Sequence, residues 1–431
     1  MIRTHYSKDV KPSSGNVTLA GWAQNIRILG KIAFIKLRDR EGLSQVTIPA
    51  DNKNFETVKS ITPESVLAVS GGVKASAQSQ NGWELIPIKI EMLSKASVPL
   101  PIDFSGKINT SLDKRIDHRY LDVRNPKSLL IFKVLSATEI AMKEYCVEKG
   151  FMEINTPKFM ASASETGAEL FEVKYMNKKA YLAQSPQLYK QMAMASGFDK
   201  VFEQAPVFRA NPSHTSRHDT EYTSFDVEIA FVDSSEDIMK FEEEWLAYVF
   251  KKVKEKYGAE IKEAFGFEIE VPKVPFPRMT MKEALKAVHG LEKADEFGEF
   301  DSDGEKKLGE YVKKKFKSDF VFLTEFPYDA RSFYIMKKDE KTSFGYDLIY
   351  KGLEITSGGQ REHHYETLVK QVKEKGLDPN SIKDYGEMFK YGVPPHGGFG
   401  LSPTRVVMQM LNLENVREAT FLPRDTDRLT P

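Results

Sequence analysis

The sequence predicts an α/β (α+β) chain of two domains: a small β-barrel, then an antiparallel sheet flanked by helices. Three observations lead to this prediction. The chain has 431 residues, enough for about two or three domains of ordinary size. Short β-branched runs fill the first hundred residues. A long helical pattern and then further short strands fill the rest.

The barrel is predicted from five short runs between Val17 and Leu93, separated by glycine, asparagine or charged residues. The runs are VTLAGWA, KIAFIKLRD, LSQVTIPA, SVLAVSGGVKAS and WELIPIKIEML. Five strands in so short a length fit the small Greek-key barrel whose face binds oligonucleotides, and they also fit other small barrels. We therefore predict a barrel domain over residues 1–100.

The rest of the chain is predicted as a hinge and a larger second domain. Residues 101–126 combine prolines, glycine and alternating charge without a sustained apolar period, which predicts a hinge. From Lys127, apolar residues recur at helical spacing until Gly150, a typical helix stop. Short strands that pair through hairpins follow, which predicts an antiparallel sheet with a helix-rich insertion at about 235–320. The second domain covers 127–431.

The composition excludes several classes of protein. Hydrophobic residues make up 41% of the chain and charged residues 29%, with a mean hydropathy of −0.42. No run reaches the ~18–20 apolar residues of a membrane-spanning helix, so no membrane partner is expected. The N-terminus lacks a basic segment followed by an apolar one, which favours a cytoplasmic location. The single cysteine, Cys146, excludes an internal disulfide and a multi-thiolate zinc site.

Arginines in two later segments suit phosphate groups. Arg209 and Arg217 flank a polar loop between two predicted strands, and guanidinium forks match phosphate oxygens. A charged hairpin tip is the alternative for this pair. The segment His396–Leu411, HGGFGLSPTRVVMQML, is a glycine-rich strand that runs into a helix with Arg405 near its start. Glycines let a base or phosphate lie against the backbone, and no P-loop or GxGxxG motif is present.

A third segment, GYDLIYKGLEITSGGQREHH, predicts a site for a hard cation. Glu354 and Ser357 provide oxygen ligands of the kind that Mg²⁺ prefers. They are three residues apart, so the strand needs a local irregularity before both can face the same side. The adjacent His363 and His364 would face opposite ways on a strand, which argues against a histidine metal site.

Together these segments resemble the three signature motifs of the class II aminoacyl-tRNA synthetases, and most closely the aspartyl-tRNA synthetases of the archaeal and eukaryotic type. The most specific matches are AQSPQLYKQ (Ala183–Gln191), EITSGGQREH (Glu354–His363), the FRA…SHTSRH…TEYTSFD…EIAF segment and the GGFGL…R stretch. The resemblance runs from RTHY at residues 3–6 to the C-terminus. It implies an OB-type barrel that binds the anticodon and a class II catalytic domain. It also implies a homodimer with the Pro157 segment at the interface.

The resemblance also implies substrates and site residues. ATP with Mg²⁺, L-aspartate and tRNA-Asp are the expected ligands, and charging of tRNA-Asn is left open. The aspartate pocket is expected to comprise Glu165, Ser185, Gln187, Lys190, Asp226 and Arg361. The ATP contacts are expected at Arg209, Arg217, His218, Glu221, Tyr222, Glu354 and Arg405, with Arg209 and Arg405 as catalytic residues and Glu354 and Ser357 as metal ligands. The anticodon contacts are expected at Arg27, Phe34, Gln45 and Glu84.

The chain departs from the family pattern at two places. Asn211-Pro212 follows Arg209-Ala210 where the family has an acidic residue, and Ser402-Pro403-Thr404 follows GGFGL where the family has glycine, an apolar residue and an acidic residue. Ser402 is expected to crowd the adenine. Three alternatives therefore stay open: an asparaginyl-tRNA synthetase, an amide-forming paralogue, and a tRNA-binding protein without catalysis. Lys190 argues against asparagine, because a neutral amide gains little from a nearby cation.

Overall fold

The computed structural model describes residues 2–106, 108–161, 164, 170–210, 217, 219–290 and 300–431. The chain folds as two units, one that ends at Asp103 and one that begins at Phe104. The first unit therefore matches the predicted barrel domain to within a few residues. No helix in the described ranges is long and apolar enough to cross a membrane.

The first unit is a closed barrel of five strands in the order β1-β2-β3-β5-β4. The strands are β1 (Asn16–Leu29), β2 (Ile32–Arg38), β3 (Leu43–Pro49), β4 (Val66–Ala75) and β5 (Trp83–Ser94), and the short helix α1 (Phe55–Val58) lies between β3 and β4. On β2, Ala33, Ile35 and Leu37 are buried in the barrel core, so Phe34 between them points outward. The predicted barrel is confirmed.

The predicted hinge over 101–126 is in large part folded. Helices α2 (Leu112–Asp117) and α3 (Arg119–Asp122) occupy its second half. The Arg119 side chain is 1% exposed and donates to Asp122 and to the backbone carbonyl oxygens of Phe421 (3.0 Å), Thr420 (3.0 Å) and Arg417. A buried guanidinium with these partners fixes the segment to the C-terminal region, so it belongs to the second unit.

The second unit contains the remaining elements. Its helices are α4 (Pro126–Glu148), α5 (Gln187–Ala195), α6 (Ser235–Phe265), α7 (Met281–His289), α8 (Ser302–Phe316), α9 (Tyr365–Glu374), α10 (Lys383–Glu387) and α11 (Pro403–Met410). Its strands are β6 (Met152–Glu153), β7 (Phe159–Met160), β8 (Glu172–Tyr175), β9 (Lys178–Leu182), β10 (Lys200–Phe208), β11 (Glu221–Ala230), β12 (Arg278–Thr280), β13 (Phe320–Thr324), β14 (Gly345–Tyr350), β15 (Leu353–Gln360) and β16 (His396–Leu401). The predicted helix from Lys127 to Gly150 corresponds to α4, and the helix-rich insertion corresponds to α6, α7 and α8.

An eight-stranded sheet organises this unit, in the order β12-β13-β14-β15-β16-β11-β10-β6. Its pairs are antiparallel except at the two ends, which confirms the predicted antiparallel sheet. On one face, Trp245 of α6 packs against Phe225 of β11 and Phe399 of β16, with ring centroids 5.1 and 5.4 Å away. Because side chains alternate along a strand, the neighbouring Asp226 and Gly400 belong to the other face, where the candidate site lies.

Candidate active site

One cavity of about 410 Å³ lies over strands β11, β15 and β16. It brings together nine of the residues predicted for substrate binding: Ser185, Gln187, Arg209, Tyr222, Asp226, Glu354, Ser357, Arg361 and Arg405. These residues come from positions up to 220 residues apart in the chain, and only the fold makes them neighbours. The three sequence segments therefore form one site.

Four buried charged side chains, Lys190, Asp226, Glu228 and Arg361, lie at one end of the cavity or directly behind it. Lys190 Nζ lies 3.1 Å from Asp226 Oδ1 and 3.3 Å from Glu228 Oε2, and it also donates to the Phe399 carbonyl oxygen at 3.1 Å. Lys190 does not line the cavity but lies behind Asp226, which does. Direct contact between Lys190 and a substrate carboxylate stays a prediction.

Arg361 lines the cavity and forms a bidentate ion pair with Glu228. Its Nε and Nη2 atoms donate to the two carboxylate oxygens at 2.9 and 3.3 Å. Burial alone would raise the pKa of Glu228, but the charges of Arg361 and Lys190 outweigh it, and the pKa lies below its usual value. Nη1 of Arg361 has no hydrogen-bond partner among the described residues and is left for a ligand. Glu228 was missed from the sequence, although its position two residues after Asp226 on a strand is the signal that both face the same side.

The glycine-rich strand β16 needs its glycines mainly for protein contacts. A Cβ atom at Gly398 would clash with the carbonyl oxygen of Val227 and with the Glu228 carboxylate. At Gly400, which lines the cavity, a Cβ atom would lie 3.1 Å from Asp226 Oδ1. The prediction that these glycines make room for a base or phosphate is therefore corrected at Gly398, where the buried carboxylate takes the space.

The other end of the cavity carries arginines. Arg209 lies over the Tyr222 ring, 5.6 Å from its centroid, and both line the cavity. Arg405 Nη1 donates to the Glu354 carbonyl oxygen at 2.9 Å. Arg217 forms an ion pair with Glu305 of α8, a residue that was not predicted for the site. The arrangement supplies positive charge of the kind that binds polyphosphates.

The predicted cation ligands lie beside these arginines. Strand β15 carries the irregularity that the spacing required: Thr356 pairs with Leu348 and Glu354 with Ile349, so one extra residue bulges between them. Glu354 and Ser357 consequently both line the cavity.

Asp347 on the neighbouring strand was missed from the sequence. Burial, and then the charge of Asp347, raise the pKa of Glu354 above its usual value. Arg331 binds Asp347 through two bonds of 3.0 and 2.7 Å and also donates to Ser357 at 3.0 Å. The half-exposed Glu354 and the buried Asp347 thus place two carboxylates close together beside the arginines, and a hard divalent cation would offset their mutual repulsion.

Several predicted residues lie elsewhere. Glu221 is exposed at the start of β11, where it forms a β-bridge with Arg424, and it does not line the cavity. Glu165 and His218 lie outside the described residues, as does the Asn211-Pro212 departure.

The paired histidines also lie outside the cavity. His363 and His364 follow β15 instead of lying on it, and their rings are 4.0 Å apart. The expectation that they face opposite ways is therefore wrong. Together with Glu362 their ligand atoms lie within 4.8 Å of one another, but the Glu362 carboxylate already accepts from both backbone amides and from His364 Nδ1.

The four residues predicted to contact an anticodon lie on β1, β2, β3 and β5, which are consecutive strands of the barrel. Arg27 of β1 is directly opposite Phe34 of β2, and Phe34 is opposite Thr47 of β3. Glu84 of β5 accepts from Thr47 at 2.7 Å and from Gln45 at 3.4 Å. The half-buried Phe34 ring thus lies among polar groups on the outer surface, as base stacking requires.

Family models match both units. One described as tRNA synthetases class II (D, K and N) matches residues 111–426, and one described as OB-fold nucleic acid binding domain matches residues 17–93. Among solved structures, the asparaginyl-tRNA synthetase from Pyrococcus horikoshii complexed with asparaginyl-adenylate has a TM-score of 0.92 at 33% identity, covering 100% of each chain. The aspartyl tRNA synthetase from Entamoeba histolytica has a TM-score of 0.88 at 32% identity, covering 99% of this chain and 92% of that one.

Curated relatives are more similar in sequence. The aspartate–tRNA(Asp) ligase of Pyrococcus furiosus is 46% identical over 439 residues, and the aspartate–tRNA(Asp/Asn) ligase of Methanopyrus kandleri is 45% identical over 439 residues. Both alignments cover 100% of each chain. The chain therefore belongs to the class II aminoacyl-tRNA synthetases and, within them, to the aspartate–tRNA ligases.

Proposed function

We propose that this enzyme joins L-aspartate to tRNA-Asp in two steps, using ATP with Mg²⁺. The observation that carries the proposal is the division of one cavity into two ends. Arg361, with Lys190 behind it, lies at the end suited to an amino-acid carboxylate. Arg209, Arg405 and the carboxylate pair lie at the end suited to a triphosphate.

In the first step, an oxygen of the aspartate α-carboxylate attacks the α-phosphorus of ATP. The bond from that phosphorus to the bridging oxygen breaks, aspartyl-adenylate forms and pyrophosphate leaves. Arg209 binds the α-phosphate oxygens and stabilises the charge that develops there. Arg405 and Arg217 hold the outer phosphates, and Arg217 has further N–H donors besides the one that it gives to Glu305. The protein mainly positions the reactants and supplies charge.

Glu354, Ser357 and Asp347 would hold the Mg²⁺ ion. When bound, the ion neutralises phosphate charge and orients the chain of phosphates. Arg331 supplies positive charge to Asp347 and Ser357 from the protein side.

In the second step, the terminal ribose hydroxyl of tRNA, the 3′-hydroxyl in this class, attacks the aspartyl carbonyl and AMP leaves. The barrel face around Phe34 contributes the anticodon contacts. Relatives with similar identity are named for tRNA(Asp) alone or for tRNA(Asp/Asn), so both tRNAs are candidate substrates. An enzyme that charges tRNA works where translation takes place, so we assign it to the cytoplasm.

The test is aspartate-dependent exchange of labelled pyrophosphate into ATP, followed by charging of tRNA-Asp and tRNA-Asn transcripts. We expect exchange with aspartate and at least a hundredfold loss in Arg209→Gln, which corresponds to about 2.7 kcal/mol. Exchange with asparagine alone would identify an asparaginyl enzyme. Absence of exchange with both amino acids would leave a tRNA-binding protein.

We also propose that the enzyme is a homodimer assembled through the Pro157 segment. Phe159 and Met176 expose 54% and 77% of their surface, and the Phe159 ring lies 5.4 Å from that of Tyr175. Apolar side chains grouped in this way favour burial against a second copy. Sedimentation should give the dimer mass, and Phe159→Asp should shift the mass toward the monomer. A monomeric parent chain would contradict the assignment.

A further inference from the structure

A chain of buried polar side chains runs behind the Gln187 corner of the cavity. Gln187 Nε2 lies 2.9 Å from Gln191 Oε1, and Gln191 Nε2 lies 2.9 Å from His396 Nε2. The Tyr385 hydroxyl lies 3.0 Å from the same Gln191 oxygen. All four residues are at most 4% exposed. The chain thus connects α10 and the start of β16 with a side chain that lines the cavity.

The carbonyl group of Pro394 determines the direction of every hydrogen bond in this chain. His396 Nδ1 lies 2.8 Å from the Pro394 oxygen, which only accepts, so Nδ1 carries a proton. Burial lowers the pKa of His396 to about 4, so the ring is neutral and Nε2 is an acceptor. Gln191 must then donate to Nε2 with its amide nitrogen. Its oxygen is turned to the other side, where it accepts from Gln187 and Tyr385.

The orientation of the Gln191 amide determines the orientation of the Gln187 amide. Its nitrogen donates to Gln191, so its carbonyl oxygen is turned away from the chain, and this oxygen has no hydrogen-bond partner among the described residues. The cavity already offers cations to the anionic groups of the substrates. A neutral carbonyl acceptor suits the one cationic group of aspartate, its α-ammonium.

We propose that His396 and Gln191 are positioning residues that hold the Gln187 amide with its carbonyl oxygen toward the cavity, where it accepts a hydrogen bond from the α-ammonium group of the amino-acid substrate. The proposal rests on the proposed function for the identity of that substrate. A reversed amide would place an NH₂ group against the ammonium and lose the bond to Gln191.

Two variants at one position test the orientation. Gln191→Leu removes the hydrogen bonds to Gln187 and to His396, so the Gln187 amide is free to rotate. Gln191→Glu is the matched control, because its carboxylate still accepts from Gln187 and Tyr385, and its negative charge favours protonation of His396, which then donates to it. We expect Gln191→Leu to raise the KM for aspartate about tenfold, with kcat and the KM for ATP little changed. Gln191→Glu should stay within about threefold of the parent enzyme.

Succinate, which is aspartate without its amino group, separates positioning from structural damage. Calorimetric titration of aspartate and of succinate needs no ATP and gives both affinities. In Gln191→Leu the preference for aspartate over succinate should fall about tenfold, with succinate affinity unchanged. Equal weakening of both ligands, or no change in either, would overturn the proposal. Thermal unfolding identifies a variant that does not fold, and His396→Phe then provides the second measurement with the same expectation.

Nitrogen NMR of the imidazole rings reads the tautomer directly. The His396 signal is identified by its absence in His396→Phe. An Nδ1–H ring at pH 7 is expected, and an Nε2–H ring would overturn the proposal whatever the activity. A parent enzyme without aspartate-dependent exchange would count against the proposed function alone, because neither the titrations nor the tautomer depends on catalysis.

Discussion

The buried charges beneath the cavity balance one another. Lys190, Asp226, Glu228 and Arg361 are 2%, 4%, 0% and 3% exposed, and they contribute two positive and two negative charges. Because aspartate and asparagine are nearly isosteric, a pocket must separate them by the charge of the side chain. We therefore expect the preference for aspartate to depend on Arg361, which lines the cavity, and on the balance of charge that Lys190 maintains behind it.

Lys190→Leu tests this balance. The variant leaves the cluster with a net negative charge, which repels the aspartate side chain and affects the neutral asparagine side chain much less. We expect kcat/KM for aspartate to fall at least a hundredfold, or about 2.7 kcal/mol, with any trace activity toward asparagine nearly unchanged. Pyrophosphate exchange with each amino acid, at matched thermal stability, is the measurement. Parent-like activation of aspartate would remove Lys190 from the specificity determinants.

Another buried carboxylate, that of Glu242, makes the stability of the fold depend on pH. Glu242 is fully buried and accepts from the Tyr346 hydroxyl at 2.7 Å, and burial raises its pKa to about 8. The pKa of Glu242 is higher in the folded state than in the unfolded state. The contribution of protonated Glu242 to the free energy of unfolding is therefore complete below about pH 4.5 and is lost as the pH rises through 8.

Relative to Glu242→Gln, the parent should lose up to about 1.4 kcal/mol of unfolding free energy per pH unit between about pH 5 and 8. Urea unfolding across this range measures the difference. Glu260→Gln, at an exposed position on the same helix, is the control. A difference that does not vary with pH would mean that Glu242 is ionised in the folded enzyme.

Sequence reasoning found the residues that carry recognisable motifs and missed their partners. Arg209, Glu354, Arg361 and Arg405 stand in motifs, and all four line the cavity. Asp347 lies in the same sequence segment as Glu354 but on the preceding strand, and Glu305 lies on α8, outside every motif. Their roles depend on sheet order and on the packing of α8, which spacing in the chain does not encode.

At the scale of single elements, the departure at Ser402-Pro403 forms a regular helix start. Ser402 is the N-cap of α11, and its side chain accepts from the Arg405 backbone amide at 3.4 Å. Pro403 occupies the first helical position, where its missing amide hydrogen costs nothing. The segment therefore orients Arg405 without the glycine of the family pattern.

The N-cap predicts different effects for two substitutions. Ser402→Ala should lower the free energy of unfolding by about 1 kcal/mol, and Ser402→Gly by only a few tenths. If Ser402 crowds the adenine, as the family pattern predicts, Ser402→Gly should also lower the KM for ATP without weakening aspartate binding. Urea unfolding and ATP titration measure the two effects. An unchanged KM would mean that the site accommodates serine.

The long elements were predictable and the short ones were not. Helix α4 is confirmed because its apolar residues recur over six turns and Gly150 ends it with a left-handed φ of 80°. Helix α5 was not predicted, because the strand-like KAYLAQS leads into it and its nine residues give too short a period. The helices of Leu112–Asp122 were predicted as a hinge. They depend on hydrogen bonds from the buried Arg119 to carbonyl oxygens about 300 residues away, which the local sequence pattern does not show.

At the scale of the whole molecule, the two units predict separable functions. Phe34 points outward from the barrel and lies within a unit that has its own core. Phe34→Ala should therefore weaken tRNA charging by about 1–3 kcal/mol and leave amino-acid activation without tRNA unchanged. A tRNA-charging assay and a pyrophosphate-exchange assay on the same preparation measure the two activities. Equal losses in both would make Phe34 a structural residue.

The position of β16 in the sheet bears on how the enzyme is synthesised. This strand lies between β11 and β15, yet it is the last of the three to leave the ribosome. Until then the two flanking strands present open edges, which are the sites where sheets pair wrongly. The barrel closes within the first hundred residues and can fold while translation continues. A ribosome that stalls before His396 would consequently hold a finished anticodon-binding unit and an unfinished catalytic sheet.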